Sequence, residues 1–349
     1  MRDKILIIGG YGKVGSIISE HLAKLYLNKV VVAGRSFQKA KKLADRILNG
    51  SIPYEFDIDK GEDSALLKQV MLVVMCIDQK NTGFVEKCIT EGIHYIDITA
   101  DYNFIEKIER LNNQAKLNSS SLILSVGLAP GITNLLAQHC ANKFNEIKLI
   151  DILILLGIGE KHGDAAYRWT FDNLHSTYKV HNFSHLVKSF TLPKKSNLLG
   201  SRTFYTFNFS DQHTLSKTIN AEQIITRMAF DSKLLTLLIK LLRTAGITIL
   251  FKNKLIQNIG IKLFSKFNIG SDLFAVKAVV ENYKGEVYES SVSGNGEAEI
   301  TAYVATEMAY YLLENEVNYG VNHVHNIITD IPSFLNRLKK YDETIKIEL

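Results

Sequence analysis

The sequence predicts an α/β protein with a doubly wound parallel sheet in its first part and a separate α+β domain after it. Three observations predict this fold class. Short apolar runs alternate with amphipathic helical segments over residues 5–127, a glycine-rich turn follows the first of these runs, and the alternation ends after Gly131. Short buried strands that alternate with helices are typical of a parallel sheet covered by helices on both faces.

The glycine-rich turn has the spacing of a dinucleotide-binding loop. The apolar run Ile5–Ile8 predicts a buried strand, glycines follow in a Gly-x-Gly-x-x-Gly pattern, and a helix over 13–27 leads to a second strand over 29–33. Such a β-α-β unit is the start of a Rossmann domain, in which a pyrophosphate lies at the helix N-terminus. The predicted contacts are Gly10 in the tight turn, Tyr11, Gly12 where the backbone approaches the pyrophosphate, Lys13, Val14, and Gly15 where helix and strand pack. A plain structural turn is the alternative.

The residues after the second strand favour NADP(H) over NAD(H). An NAD site usually has a carboxylate here for the ribose 2′-hydroxyl, whereas this chain has Gly34-Arg35-Ser36. Arg35 can make charge-assisted contacts to a 2′-phosphate, and Ser36 can donate a further hydrogen bond. The alternative for Arg35 is a solvated surface arginine.

Four further strands are predicted over 52–58, 71–77, 94–99 and 121–126, with helices over 37–48, 83–91 and 104–117. Ligands bind at the carboxyl ends of such strands. We therefore expect Cys76 and Ile77 to line the cofactor crevice, and Asp57 either to contact the adenine or to be a solvated loop residue. The loops 99–102 and 127–134 lie where a substrate would meet the nicotinamide, and the second contains Gly127, Ala129, Pro130 and Gly131.

The second half predicts a mixed or antiparallel sheet. We expect a helix over 132–144, strands over 148–158 and 202–210, and a hairpin of 274–283 with 286–293. A helix over 297–313 follows. The predicted division is a nucleotide-binding domain over 1–128, a substrate and dimerisation domain over 129–294, and C-terminal helices over 295–349 that return to the first domain.

Composition limits the function classes. The net charge of +5 has no basic stripe with interleaved aromatic residues, so no nucleic-acid partner is expected. Three cysteines without pairing or metal spacing predict a reducing, cytoplasmic location. The apolar segment 234–251 contains Lys240 and Arg243, which argues against a membrane span; a buried or interface helix is the simplest interpretation, and peripheral membrane contact the alternative. His181 and His185 have i, i+4 spacing but lack a third ligand, and other histidines such as His162 form no metal-like helical pair, so no metal is expected.

Several stretches together resemble the saccharopine dehydrogenase-like family: Gly9–Gly15, Ala33–Ser36, Tyr95–Asp101, Gly127–Asn134 and Gly294–Ala298. That family contains saccharopine reductases, lysine 6-dehydrogenase and carboxynorspermidine synthase-type enzymes, and the Gly-Leu-Ala-Pro-Gly stretch is most similar to lysine 6-dehydrogenase. The likeness is specific for fold and cofactor and weak for substrate. If the segment 167–173 also corresponds, Arg168 would pair with a substrate carboxylate, and Trp169 and Asn173 would shape the pocket. An arginine paired with Asp164 or Asp172 is the alternative for Arg168.

The resemblance implies an NADP(H)-dependent oxidoreductase that acts on CH-NH or CH-NH2 donors and works on an amino acid or its imine conjugate. Asp101 is the carboxylate best placed for proton transfer, with His175 and Lys277 as more distant candidates; a helix cap explains Asp101 equally well. We expect a homodimer with a small-molecule substrate. Two alternatives remain open: a reductase of a lipid-like or polyketide-like enoyl or carbonyl substrate, and an NADP(H)-binding regulator without catalysis.

Overall fold

The computed structural model describes residues 2–47, 49–60, 64–160, 164–266 and 270–349. The chain divides into two compact units. Unit 1 comprises Met1–Gly131 and Ala298–Asp330, and unit 2 comprises Ile132–Glu297 and Ile331–Leu349. The chain therefore returns to the first unit over Ala298–Asp330 and ends in the second, whereas the predicted division assigned all of 295–349 to the first domain.

The elements have the following bounds. The strands are β1 Lys4–Ile8, β2 Val30–Gly34, β3 Ile52–Glu55, β4 Val70–Met75, β5 His94–Asp97, β6 Ser121–Leu124, β7 Ile147–Leu156, β8 Thr177–Tyr178, β9 Val187–Lys188, β10 Lys194–Asn197, β11 Ser201–Thr206, β12 Ala221–Phe230, β13 Leu273–Glu281, β14 Val287–Asn295, β15 Gly320–His323 and β16 Lys346–Glu348. The α-helices are α1 Lys13–Leu25, α2 Phe37–Arg46, α3 Ser64–Leu67, α4 Gly83–Thr90, α5 Tyr102–Glu109, α6 Asn112–Leu117, α7 Thr133–Ala141, α8 Asp164–Leu174, α9 Ser210–Thr218, α10 Lys233–Thr244, α11 Lys254–Lys266, α12 Glu297–Glu314, α13 Val324–Ile327 and α14 Ile331–Leu338.

Unit 1 contains a seven-stranded parallel sheet in the order β15-β6-β5-β4-β1-β2-β3. The central strand β1 pairs with β2 on one side and β4 on the other, and its apolar residues are buried on both faces. The order reverses between β1 and β4, which makes this the point where an open α/β sheet forms a crevice. The predicted doubly wound fold is confirmed.

Several details of unit 1 differ from the predictions. The seventh strand β15 was not predicted, because the sequence Gly-Val-Asn-His is too short and polar to show a strand pattern. The helix predicted over 104–117 is two helices, with a break near Leu111. Two asparagines, which favour helix ends and turns over helix interiors, follow this break. Strand β3 ends at Glu55, earlier than predicted, and Leu48, the predicted end of the second helix, lies outside the described residues.

Unit 2 contains a mixed sheet in the order β10-β11-β12-β7-β13-β14-β16. Strands β12 and β7 run parallel, and the other neighbours are antiparallel. The predicted hairpin is present as β13 and β14, and the Asn282 side chain accepts the backbone amides of Lys284 and Glu286 in its turn at 2.9 and 3.0 Å. Strand β12 was not predicted, because Arg227 interrupts its apolar pattern. In the sheet, Arg227 forms an ion pair with the buried Asp151 of β7.

The apolar segment 234–251 is not a single buried helix. Helix α10 ends at Thr244, Gly246 takes a left-handed conformation with φ of 75°, and a 3₁₀ helix follows over Ile247–Lys252. Glycine adopts this φ without the steric cost of a Cβ atom, which explains the break. Within the described ranges no helix is long and apolar enough to cross a membrane.

Candidate functional site

The turn after β1 is held by main-chain hydrogen bonds. The amides of Gly9 and Gly10 both donate to the carbonyl of Ala33 at 3.0 Å, and the amide of Gly12 donates to the carbonyl of Gly9 at 2.8 Å. Helix α1 then begins at Lys13 with Gly12 as its N-cap. First-turn amides of an α-helix have no acceptor within the helix, so this end of α1 provides hydrogen-bond donors and a positive dipole for an anion.

Two glycines explain why the turn is so tight. Gly9 has a φ of 77°, a left-handed conformation that favours glycine and that was not predicted for this position. A Cβ atom at Gly15 would lie 2.3 Å from the carbonyl oxygen of Gly9. Helix α1 can therefore approach β1 only because Gly15 lacks a side chain. This close packing is the role predicted for Gly15.

A cleft of about 380 Å³ lies beside this turn in unit 1. It brings together six of the predicted cofactor residues: Tyr11, Gly12, Arg35, Asp57, Cys76 and Ile77. The other predicted contacts, Gly10, Lys13, Val14, Gly15 and Ser36, are not among the residues that line it. The cleft thus follows the carboxyl ends of β1, β2 and β4, which is the expected position for a dinucleotide in this fold.

Tyr11 connects the turn after β1 to the loop after β2. A Cβ atom at Gly34 would lie 2.5 Å from the Tyr11 ring, and the Tyr11 hydroxyl accepts the backbone amide of Ser36 at 3.1 Å. Arg35 between them is exposed, and no carboxylate pairs with it in the described part of the chain. Its guanidinium is available for an anion at this edge of the cleft.

Ser36 and Asp57 both stabilise the backbone near the cleft. The Ser36 hydroxyl caps α2 by accepting the amide of Lys39 at 3.4 Å, and it donates to Gln38 Oε1 at 3.4 Å. Asp57 accepts the amide of Asp59 at 3.1 Å, which fixes the loop after β3. Burial raises the pKa of the Cys76 thiol, and the nearby Asp97 raises it further. Cys76 therefore lines the cleft as an uncharged thiol.

Three carboxylates that follow or end β4 and β5 form an acidic group near the cleft: Asp78, Asp97 and Asp101. Asp97 is buried and accepts the Tyr95 hydroxyl at 2.6 Å, the Gln79 amide at 3.1 Å and the Thr99 backbone amide at 2.8 Å. Burial nevertheless raises the pKa of Asp97 to about 7. Burial and the charge of Asp101 also raise the pKa of Asp78.

The sequence pointed to Asp101 and not to Asp97. Asp101 caps α5, because its Oδ1 accepts the amide of Asn103 at 2.9 Å. The role of Asp101 in proton transfer stays a prediction. The sequence feature that could have identified Asp97 is its position at the carboxyl end of the buried strand β5, which lies beside the most apolar strand of the sheet.

The Gly-Leu-Ala-Pro-Gly loop follows β6 in unit 1. Gly127, Pro130 and Gly131 are buried, and Ala129 is partly exposed. The backbone of Leu128 donates to the Thr301 hydroxyl at 3.3 Å, which ties the loop to α12. Of the four predicted substrate contacts in this loop, Ala129 is therefore the most accessible.

Unit 2 contains a cavity of about 100 Å³ with an apolar, aromatic lining. Trp169 lines it together with Phe207 and Phe209, whose ring centroids lie 5.7 and 5.1 Å from that of Trp169. Glu297 is the one carboxylate in the lining. Trp169 therefore lies in the wall of a cavity, and its contact with a substrate stays a prediction.

The structure places Arg168 and Asn173 outside this lining. Arg168 is exposed on α8, and the Asn173 side chain donates to the carbonyl of Trp169 at 2.9 Å within the same helix. Asp172, one alternative partner of Arg168, accepts the Gln257 amide at 2.6 Å. The carboxylate-binding role of Arg168 stays a prediction.

The more distant candidates have local partners. His175 Nδ1 lies 3.3 Å from the carbonyl of Phe171, and Lys277 forms an ion pair with Glu289 at 2.8 Å. Among the described residues, no group of three or more histidine, cysteine, aspartate or glutamate side chains has a geometry that could hold a metal ion. His162 lies outside the described residues.

Known proteins resemble the chain in fold and in its amino-terminal domain. The whole chain has the fold of saccharopine dehydrogenase: it superposes on saccharopine dehydrogenase (L-Glu forming) from Saccharomyces cerevisiae with a TM-score of 0.69 and 14% identity, covering 99% of this chain and 100% of that one. Amine dehydrogenase from Mycobacterium smegmatis gives a TM-score of 0.50 and 11% identity, over 93% of this chain and 96% of that one.

The amino-terminal part of the chain matches a family model. Residues 5–123 match the model of the saccharopine dehydrogenase NADP binding domain. The resemblance predicted from the sequence is confirmed. A curated relative, glutamyl-tRNA reductase from Carboxydothermus hydrogenoformans, is 30% identical over 76 residues, which are 22% of this chain but only 16% of that protein.

Proposed function

We propose that the protein is an NADP(H)-dependent oxidoreductase that transfers hydride to or from the C–N bond of an amino acid or its imine conjugate. The observation that carries this proposal is the unit 1 cleft, in which the glycine turn, Tyr11 and Arg35 come together. The family match over residues 5–123 supports a nicotinamide cofactor. The dehydrogenase fold supports a redox reaction.

The residues present fit the diphosphate of such a cofactor. Helix α1 offers its N-terminus at the turn, Gly15 lets the helix approach, and the cleft continues to Arg35 and Asp57. Arg35 would bind the 2′-phosphate, since a guanidinium pairs well with phosphate oxygens. When bound, the nicotinamide supplies the hydride, and the protein supplies orientation and charge.

The acidic group near the cleft is suited to proton transfer. A carboxyl with a pKa of about 7 is present in both protonation states near neutral pH, which is what general acid–base catalysis requires. Asp97 is buried, whereas Asp101 is exposed. We assign proton exchange with the substrate nitrogen to Asp101 because it is exposed in the loop after β5, whereas the pKa of about 7 belongs to Asp97, which is buried.

A second candidate keeps the hydride transfer but changes the substrate. The unit 2 cavity is lined by aromatic and aliphatic side chains, and Arg168 lies outside the lining. Such a lining suits an apolar group better than an amino-acid head group. This observation favours an enoyl or carbonyl compound with an apolar chain.

Two measurements test the proposal. Titration of the full chain with NADPH and with NADH, followed by nucleotide fluorescence, is expected to show tighter binding of NADPH. A screen of NADPH oxidation then pairs amino acids with 2-keto acids in one arm and offers apolar enals and ketones in the other. Trp169 is the only tryptophan and lines the cavity, so quenching of its fluorescence reports substrate binding independently of turnover.

The outcomes separate the candidates. Turnover with an amine and keto-acid pair supports the first proposal, and turnover with apolar carbonyl compounds alone supports the second. Tight NADPH binding without turnover in either arm would point to an NADP(H)-binding regulator. Failure to bind either nucleotide would overturn all three.

A further inference from the structure

Helix α10 presents an apolar stripe to solvent. Leu234, Leu237, Leu238 and Leu241 follow the i, i+3, i+4, i+7 spacing of one helix face, and their exposed fractions are 77, 47, 49 and 51%. The opposite face carries Thr236 and Ile239, which are buried against unit 2. An apolar helix face normally packs on the core of the protein. Helix α10 has one buried face that does so and a second apolar face that is exposed to solvent.

The stripe continues into the elements that follow α10. Ile247, Ile249 and Leu250 of the 3₁₀ helix are 44 to 56% exposed, and Leu255 and Ile259 of α11 are 73 and 59% exposed. These nine leucines and isoleucines over residues 234–259 form what we call the apolar face. Scattered exposed leucines are ordinary, but a concentration in one segment marks an interaction site.

The charged side chains within the segment that carries the apolar face have one sign. From Lys233 to Lys266 the sequence contains seven lysines and arginines and no aspartate or glutamate. Lys233, Lys252 and Lys254 are exposed, and Lys240 is partly exposed, whereas Arg243 points inward and donates to the carbonyls of His175, Ser176 and Ser189. An apolar helix face bordered by lysines fits a surface that is apolar inside and anionic outside.

We propose that the apolar face binds the surface of an anionic lipid membrane, with the leucines in the acyl region and the lysines at the head groups. A second copy of this chain is a poorer occupant. Two such faces meeting across a two-fold axis would bring like charges together, and no carboxylate of the segment could pair with them.

The elements that carry the apolar face also contribute to the wall of the unit 2 cavity. Ile239 of α10 lines the cavity, and the Phe171 ring of the cavity wall lies edge-on to Phe251 with centroids 4.8 Å apart. The buried side of α10 thus forms part of the cavity wall, while its outer side would lie on the lipid. This arrangement does not depend on the reaction that the protein catalyses.

Vesicle co-sedimentation of the full chain tests the proposal. The probes are vesicles of phosphatidylcholine alone and vesicles that also contain phosphatidylglycerol. The apolar variant combines Leu234→Ser, Leu238→Ser and Leu255→Ser. These side chains are exposed and contribute little to the hydrophobic core. The charge variant combines Lys233→Glu and Lys254→Glu.

Matched controls come from exposed residues elsewhere. Leu27→Ser with Leu117→Ser removes leucines that are 63 and 86% exposed in unit 1, and Lys107→Glu with Lys188→Glu reverses exposed charges outside the segment. Circular dichroism checks that each variant is folded. Light scattering measures the oligomeric state of each without vesicles.

The wild type and both controls are expected to sediment with the phosphatidylglycerol vesicles and less with phosphatidylcholine alone. The apolar variant should lose about tenfold or more in partition. The charge variant should lose the preference for the anionic lipid. Equal partition of wild type and apolar variant would overturn the proposal. So would a wild-type dimer that binds no vesicles and that the leucine substitutions dissociate, since the apolar face would then join two copies.

Discussion

The Tyr11 hydroxyl accepts the backbone amide of Ser36 at 3.1 Å, and its ring lies against Gly34. This contact joins the turn after β1, which would face the diphosphate, to the loop after β2, which would select the cofactor. It also places Arg35 between two anchored neighbours. The glycine turn and the arginine are therefore parts of one rigid edge of the cleft.

Loss of the Tyr11 hydroxyl should loosen this edge. Tyr11→Phe keeps the ring against Gly34 but leaves the amide of Ser36 without its acceptor, so we expect unit 1 to lose about 1 kcal/mol of stability. NADPH affinity should fall more than NADH affinity, because the loop that carries Arg35 is less well held. Fluorescence titration with both nucleotides checks this. An equal loss for the two nucleotides would mean that Tyr11 acts on the turn alone.

Reversal of the charge at Arg35 should change the cofactor preference. In Arg35→Asp a carboxylate replaces the group proposed to bind the 2′-phosphate, and we expect NADPH affinity to fall by about tenfold or more while NADH affinity changes little. Lys42→Asp is the matched control, since it makes the same charge change at an exposed position of α2 outside the cleft lining. If both variants weaken NADPH binding equally, the effect comes from overall charge.

A methyl group at Gly15 should displace the start of α1. Its Cβ atom would lie 2.3 Å from the Gly9 carbonyl oxygen, so the helix or the turn must shift. We expect Gly15→Ala to cost roughly 1–3 kcal/mol and to weaken NADPH and NADH binding together, because the diphosphate is common to both. Lys24→Ala, on the exposed side of the same helix, serves as the control. Unchanged binding of both nucleotides by Gly15→Ala would contradict the assignment of this turn.

Asp97 should make unit 1 less stable as pH rises. Its pKa is raised from near 4 in the unfolded chain to about 7 in the fold, so the protonated form is favoured by folding, and that stability is lost between about pH 4 and pH 7. Asp97→Asn removes the titration. The variant should therefore be more stable than the wild type near neutral pH, by roughly 1–3 kcal/mol after the loss of an acceptor for Tyr95 or Gln79.

Hydrogen exchange of the amides of β4 and β5, corrected for intrinsic rates, measures this difference in unit 1 alone. The comparison of wild type with Asp97→Asn at each pH cancels the contributions of other groups, including that of His325, whose pKa burial lowers to about 3. A wild type that gains protection relative to the variant as pH rises would show that Asp97 is ionised in the fold throughout.

The sequence predicted the parallel sheet and the glycine turn after β1 well, since both have local signatures. Apolar strands followed by glycines at fixed spacing determine the β1-α1-β2 unit, and Arg35 replaces the usual acid in the adjoining loop. Asp97 could not be recognised in this way, because its properties come from Tyr95, Gln79 and burial in the finished fold. Strand β12 was missed for the same kind of reason: the partner of Arg227 lies on β7, 76 residues earlier in the chain.

The ion pair of Asp151 and Arg227 should stabilise unit 2. Asp151 is 1% exposed and is bound by Arg227 and by Lys194 Nζ at 2.6 Å. Asp151→Ala would leave the Arg227 guanidinium, whose side chain is 10% exposed, buried without its carboxylate, and we expect unit 2 to lose about 3 kcal/mol or more. Lys194→Ala removes a partner whose side chain is 33% exposed and should cost about 1 kcal/mol or less.

Urea unfolding followed by tryptophan fluorescence measures both variants. Trp169 is the only tryptophan and lies in unit 2, so the signal reports on the unit that contains the pair. Similar losses for the two variants would mean that the three charges act as one network. A small loss for Asp151→Ala would mean that Arg227 finds other acceptors, such as the Leu192 carbonyl to which its Nε already donates at 3.1 Å.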